Sequence, residues 1–317
     1  MGRNAVDHKG AKPGKFRYLS DKEGFLGPLM LAPAILYILV LVGFPFLLAI
    51  AFSLSDVSVG DTSLNWVGLD NFQRVVKTPQ FQRALVNTFI FAVGSQAIII
   101  VLATVLAELL SAEFRGKWLV RFLIILPWAT PVALGAIGWK WLLDSKFSPF
   151  DWILVSIGLL GPDTLLGPGN HMNFLGREIL AMASVITVHV WRLLPLAVII
   201  ILAALTSIPR EILDQSSVDG AGFWRTLFRI KIPLIFPIIS IAILFGMILT
   251  FGDMAVVFIL TDGGPIYYTQ VLPLWAYRVG IEGGSLAQGA AIALFLFPLL
   301  LAIVVLVLKI SKRVEVT

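Results

Sequence analysis

Arg192 and Asp253 each interrupt an apolar run long enough to cross a bilayer. An ionisable group in hydrocarbon faces a cavity or meets a counter-charge. Two uses are open to this pair: a buried ion pair that fixes helix packing, or a polar lining for a passing solute. Other side chains that lipid tolerates poorly surround them in the sequence. Gly246, Thr250 and Asp253 recur at i, i+4 and i+7 and make one small, polar stripe. Ser95 and Gln96 sit in a second apolar run, and Pro127, Thr130 and Pro131 flank Trp128, ahead of Trp139, in a third. Aromatic faces with a few placed polar groups suit a sugar, so Gln96, Trp128, Trp191, Arg192, Thr250 and Asp253 form the candidate substrate path. Small glycines and kinking prolines serve helix packing equally well.

Bond-making chemistry has no comparable support. His8, His171 and His189 lack paired-ligand spacing, and His189 is expected as a polar group satisfied inside the bundle. Gly14-Lys15 is followed by Phe16 and Gly116-Lys117 by Trp118, so neither forms a phosphate-cradling loop. No catalytic, cofactor-binding or metal-binding residue is expected, and ATP hydrolysis is not expected of this chain. The absence of cysteine excludes disulfides, thiolate metal sites and cysteine nucleophiles.

The elements that carry these residues follow from composition. The chain has 317 residues, 58% hydrophobic and 14% charged, with a mean hydropathy of +0.92. Soluble domains carry about 25% charged residues, so the fold class is an all-α membrane protein. Six stretches, near 27–54, 84–112, 119–143, 177–206, 233–260 and 285–308, can cross about 30 Å of hydrocarbon as helices. The first is too long for a removable signal peptide. Of 24 basic residues, sixteen fall on the side of both termini, seven on the other, and Arg192 lies within a span. The positive-inside rule then puts both termini in the cytoplasm. The expected domains are a basic cytoplasmic segment over 1–26, a transmembrane domain over 27–308 and a cytoplasmic tail over 309–317. The pI near 9.5 reflects this bias and implies no nucleic-acid partner. The loop over 144–176, with Gly161-Pro162 and Gly167-Pro168-Gly169, reads as irregular and solvent-exposed.

Between the fourth and fifth spans, residues 206–233 form a charged island holding Arg210, Glu211, Asp214, Asp219, Arg225, Arg229 and Lys231. At roughly 3 kcal/mol per charge near a bilayer centre, it stays in water. Ser207 can cap a helix with Pro209 in its early turn, on which Glu211, Asp214 and Gln215 share one face. Asp219-Gly220 reads as a turn, with Asp219 available to cap the next helix. There Phe223, Leu227 and Ile230 align, with Trp224 and Phe228 beside them and Arg225 and Arg229 in a basic row. Pro233 and Pro237 mark the start of the next span. Such a helix-turn-helix can lie on the lipid surface, pack on its own bundle or dock to another protein.

The run Glu211-Ile-Leu-Asp214-Gln215-Ser216-Ser217-Val218-Asp219-Gly220-Ala221, followed by Ile230 and Ile232-Pro233, resembles the EAA motif of ABC-importer permeases. That motif runs Glu-Ala-Ala, a Gly six residues after the Glu, then Ile-x-Leu-Pro. Asp214 stands at the Glu position with a shorter reach, Gln215 and Ser216 replace the alanines, and Ile232 replaces Leu. Trp66-Val-Gly-Leu-Asp-Asn-Phe72, Ala84-Leu-Val-Asn-Thr88, Arg121-Phe-Leu-Ile-Ile-Leu-Pro-Trp128 and Leu260-Thr-Asp-Gly-Gly-Pro265 resemble landmarks of carbohydrate-uptake permeases. The nearest subgroup is the maltose and glycerol-3-phosphate type of first permease subunit.

The resemblance implies a MetI-like importer-permease core in the inner membrane of a prokaryote. It implies a second permease, two ATPase subunits that bind the ATP, an extracytoplasmic solute-binding protein and a carbohydrate or polyol solute. It also makes the 207–232 hairpin the ATPase-docking element, with Glu211, Asp214, Gln215, Asp219, Gly220, Ala221, Phe223 and Trp224 as docking residues. One rival is an ion-coupled secondary transporter of a small polar solute, which should show two repeated halves and several intramembrane carboxylates. Another is an integral membrane enzyme, which needs a catalytic constellation. The sequence displays neither signature.

Overall fold

The computed structural model describes residues 23–61 and 63–315. Most of the expected basic segment over 1–26, and the last two residues of the tail, lie outside them. The chain divides into two units, Met1–Ala51 and Phe52–Thr317.

α1, all but its last two residues in the first unit, runs as α-helix over Glu23–Ile38 and on through Phe44–Ser53, with a π-helical turn at Leu39–Gly43. Pro45 explains the widened turn. A proline has no N–H to donate, and its ring crowds the carbonyl four residues earlier, here Leu41 inside the π turn.

In the second unit, α2 (Asp70–Lys77) leads into α3 (Pro79–Ser111). This span starts earlier than sequence pattern suggests, because Pro79 fits a first helical turn whose N–H has no partner anyway. The expected third span is not one helix. It comprises α4 (Lys117–Ala129) and α5 (Val132–Leu142), bent by 99°. Pro131 forces the break, because the residue before a proline avoids helical dihedrals, and Thr130 indeed has ψ of 130°. The 144–176 loop is also more ordered than expected. It contains α6 (Pro149–Ser156), and the buried Asp151 carboxylate accepts the Met172 N–H at 3.1 Å.

The fourth span is α7 (Glu178–Thr206), followed by α8 (Arg210–Val218). Next, Phe223–Thr226, a π turn at Leu227–Lys231 and Ile232–Phe251 join into one helix, α9. This second π turn again precedes a proline, Pro233, and contains the crowded carbonyl of Arg229. The expected 233–260 span is therefore corrected at both ends. It begins at Phe223 and stops at Phe251, and α10 (Ala255–Thr261) follows as a separate piece. α11 (Leu272–Tyr277) and the last span, α12 (Leu286–Leu294 continued by Leu296–Glu315), complete the chain. Among the described residues, five helices are long and apolar enough to cross a membrane, or six if the bent α4–α5 pair counts as one span.

α3 and α7 run parallel and form the spine. Ala103, Ala107 and Leu110 of α3 meet Ala197, Ile201 and Ala204 of α7 in a buried cluster closed by Ile235 and Ile239 of α9. Alanines at this spacing let helix backbones approach where lipid supplies no hydrophobic drive. Gly280 and Gly289 meet backbone to backbone: a Cβ on Gly289 would lie 2.4 Å from the Gly280 Cα. The helical surfaces carry many exposed Leu, Ile, Val and Phe side chains, as lipid-facing surfaces do.

Candidate functional site

Two polar constellations stand out, one at each level of the bundle. The first is the elbow formed by α8 and the start of α9. Ser207 does not cap α8. It still has helical dihedrals (φ −84°, ψ −9°), and its hydroxyl donates to the Ala204 carbonyl at 2.8 Å, so it closes α7. An N-cap needs extended backbone, and Pro209 (ψ 136°) supplies it. Asp219 is likewise the C-cap of α8 rather than the cap of α9, which is Gly222. The turn residue is Gly220, at φ +72°. Its N–H bonds to the Ser217 carbonyl at 3.1 Å, and the Ala221 N–H reaches back to Ser216 at 2.9 Å. These two bonds make a Schellman motif, which needs a residue without a Cβ at the left-handed position.

The turn bonds fix the backbone of the elbow, while most of its charged side chains stay exposed. Glu211, Asp214, Gln215, Asp219 and Gly220 are exposed, and Ala221 is half-buried. Phe223 and Trp224 show 56% and 68% of their surface. Their rings touch at 5.1 Å, and Trp224 stacks on Phe228 at 5.9 Å. Among the described residues, Glu211, Asp214, Asp219, Arg225 and Arg229 have no ion-pair partner. The elbow connects to the bundle through Lys231, which pairs with Glu108 of α3 in a mostly buried contact.

The second constellation is a polar seam between α7 and the end of α9. Asp253 sits in the break between α9 and α10. Its Oδ1 accepts the Ala255 N–H at 2.8 Å, which explains why the helix stops there: a short carboxylate competes for backbone N–H groups. The other oxygen, Oδ2, pairs with Arg192 and lies 3.2 Å from His189 Nδ1. His189 is fully buried, its Nε2 is 2.9 Å from Thr250 Oγ1, and its ring packs edge-on against Phe91 at 4.6 Å. The Thr250 hydroxyl donates to the Gly246 carbonyl at 2.7 Å. The Gly246–Thr250–Asp253 stripe therefore faces the interior.

The structure brings three of the six path candidates, Arg192, Thr250 and Asp253, into one cluster and adds His189. Gln96, on α3, lies against Gly246, one turn before Thr250 along α9. It is buried, neither amide atom has a partner, and it fills the notch over Gly246, where a Cβ would come within 2.1 Å of its Oε1. Trp191 is half-buried against Gly135 and meets Trp139 edge-on at 5.7 Å. Trp128 is apart from this group, 44% exposed on α4. Sequence reasoning missed Asn87, whose amide donates to the carbonyls of Tyr267 and Gln270 at 2.9 and 3.0 Å. Its signal was present, an amide on the apolar face of a span, but its partners lie some 180 residues away.

A family model described as "binding-protein-dependent transport system inner membrane component" matches residues 99–316, which include the elbow and the seam. The chain belongs to that family. A probable ABC transporter permease protein of Brucella suis biovar 1 is 30% identical over 245 residues, covering 77% of this chain and 82% of the relative. The trehalose/maltose transport system permease protein MalF of Thermococcus litoralis is 26% identical over 294 residues, covering 93% and 96%. The fold matches a chain in the crystal structure of a bacterial alginate ABC transporter in complex with an alginate pentasaccharide-bound periplasmic protein. There the TM-score is 0.77 at 22% identity, over 95% of this chain and 98% of that one. The resemblance to importer permeases of the carbohydrate-uptake type is thereby sustained, as is the multi-pass all-α fold.

Proposed function

We propose that this permease forms half of the translocation path of an ATP-driven importer for a saccharide or related polyol. Its elbow, 207–232, would be the part gripped by a separate ATPase. The observation that carries this reading is an exposed elbow, its turn fixed by backbone hydrogen bonds, with unpaired charges and bare aromatic rings, continuous through α9 with the helix that ends at the polar seam. A displacement of Trp224 would be transmitted along α9 to Thr250 and the Asp253 break, and one of Asp214 would reach α9 through the Gly220 turn. Docking would use Glu211, Asp214, Gln215, Asp219, Gly220, Ala221, Phe223 and Trp224. With the elbow in the cytoplasm, both termini lie there too, and the loops before α3 and after α10 face outwards.

Partners of the same kind as the resemblance implies complete the assembly: a second permease, two ATPase subunits and an external solute-binding protein. The saccharide assignment draws on the sugar-transport name of the Thermococcus relative. The seam, with Gln96 beside it, offers the polar groups of the path, and Trp191 and Trp128 the aromatic faces. Closure of the ATPase pair would shift the elbow and rock the attached spans, provided the ATPase binds the two states unequally.

The test is reconstitution with the ATPase and the binding protein, reading solute uptake and ATP hydrolysis together. Gly220→Pro cannot adopt the left-handed dihedrals of the Schellman turn and should uncouple hydrolysis from uptake while the chain still inserts. Unimpaired ATP-driven uptake by this variant removes the elbow from the mechanism.

A further inference from the structure

The end of the bundle opposite the elbow carries a second concave site, apart from the seam. A cleft of about 510 Å³ opens between the first turn of α3, the first residue of α7 and the loop after α10, lined by Gln80, Arg83, Glu178, Ile266, Tyr267 and Tyr268. Arg83 precedes Gln96 by thirteen helical residues, which puts the cleft about 20 Å along α3 from the seam's level.

The loop is held in an unusual shape. Ile266 (φ +44°) and Tyr267 (φ +61°) are consecutive non-glycine residues in the left-handed region, which costs of order 1 kcal/mol or more each. Asn87 holds them there by donating to the carbonyls of Tyr267 and Gln270, and the Tyr268 N–H returns to Pro265 at 2.8 Å. This arrangement turns both tyrosines to the cleft. The Arg83 guanidinium lies over the Tyr268 ring at 3.9 Å, which orients it. Tyr267 remains 46% exposed. Arg83 and Glu178 have no hydrogen-bond or ion-pair partner among the described residues.

We infer that this cleft is a saccharide-binding station at the outer mouth of the path, distinct from the seam. A pyranose ring would stack on Tyr267 and share its hydroxyls among Arg83, Glu178 and Gln80. One cation and one anion cancel, which favours a neutral sugar. The volume lies in the range of small-molecule sites, about 300–1,000 Å³. The lining mixes three planar polar groups, those of Gln80, Arg83 and Glu178, with the open face of Tyr267, Ile266 and Pro79, the combination of an apolar face and a few placed polar groups that suits a small polar ligand. The inference rests on the reading of the chain as a saccharide permease.

The test uses the assembled transporter in lipid nanodiscs without its binding protein, with maltose and methyl β-D-glucopyranoside as probes. Saturation-transfer NMR should show transfer to the ring protons in the wild type. We expect at least a fivefold loss in Tyr267→Ala and in the exposed variant Arg83→Gln, and retention in Tyr267→Phe. Equal transfer in wild type and both loss variants overturns the inference, as does absence of transfer at millimolar probe. So does a third outcome: no transfer, but a higher binding-protein concentration needed to stimulate ATP hydrolysis in Tyr267→Ala, which makes the cleft a protein contact. Failure of the permease reading itself looks different, because the wild-type assembly would then show no ATP-dependent uptake at all.

Discussion

The polar seam and the elbow hold similar residue types, yet their charges have opposite fates. In the seam, Asp253, His189 and Thr250 are buried, and Arg192, its side chain 17% exposed, is turned onto Asp253. In the elbow, Glu211, Asp214, Asp219, Arg225 and Arg229 are in solvent and unpaired. A bilayer penalises any charge left alone, so the seam's charges are satisfied within the chain. Water imposes no such demand, so the elbow's charges remain available to another surface. A charge inside the bundle is thus first a packing device, and a charge on the elbow is first a recognition device.

Breaking the seam should give the largest effect. Asp253→Ala leaves the mostly buried Arg192 without its partner, and losing one member of a fully buried pair costs up to about 3–5 kcal/mol. We expect a sharply lower thermal unfolding midpoint in detergent, followed by tryptophan fluorescence. Replacing both members, Arg192→Met with Asp253→Asn, should restore much of the loss, because no orphan charge remains. If the double variant is no better than the single, the pair is not the source of the penalty. Gly246→Leu should be comparably severe, since Gln96 occupies the notch and the α3–α9 contact cannot close.

Asp214→Lys should do the reverse, with little effect on the unfolding midpoint and a large effect on coupling. Truncating or reversing a charge at an interface costs on the order of 2 kcal/mol or more, enough to weaken ATPase association by more than about tenfold. Pull-down of the ATPase with the solubilised permease reads this directly. A drop in stability with unchanged association would blur the contrast drawn between the two regions.

Much of this was legible in the sequence, for identifiable reasons. Long apolar runs make a spanning helix nearly obligatory, so the first, second and fourth spans fall within about five residues of expectation, whereas the fifth is displaced at both ends and the third is two helices. The stripe Gly246–Thr250–Asp253 follows from helical periodicity, and its inward direction from the cost of a carboxylate in lipid. What was missed depends on local competition. Thr130-Pro131 splits one span into two because a proline governs the residue before it, and composition averages across that. Asp253 ends its own helix by taking the Ala255 N–H, so the residue read as part of a stripe is also a breaker. Ser207 and Asp219 have the right chemistry for capping the helices after them, but the backbone there had not yet left the preceding helices. The cleft at Tyr267 was invisible because its parts, Arg83, Glu178 and Tyr268, lie far apart in the chain.

Lys231–Glu108 tests where the boundary between the two behaviours falls. This pair joins the elbow's second arm to α3, with side chains 17% and 12% exposed, and Glu108 Oε2 has no further partner. It is less buried than the seam and less free than Asp214, so both properties should respond moderately. Lys231→Met should cost about 1–3 kcal/mol, the range for a polar group left without its partner, and should loosen the coupling of ATP hydrolysis to uptake because the elbow loses its tie to the spine. Glu108→Gln should cost less, since the amide can still accept from Lys231 Nζ. The reference for the lower end is the exposed pair Arg74–Asp70, an i,i+4 contact with side chains 60% and 50% in solvent. Arg74→Ala should change the unfolding midpoint by no more than about 0.5 kcal/mol equivalent. Should Lys231→Met behave like Arg74→Ala, the elbow is held to the bundle by α9 alone, and the elbow's motion reaches the seam without help from α3.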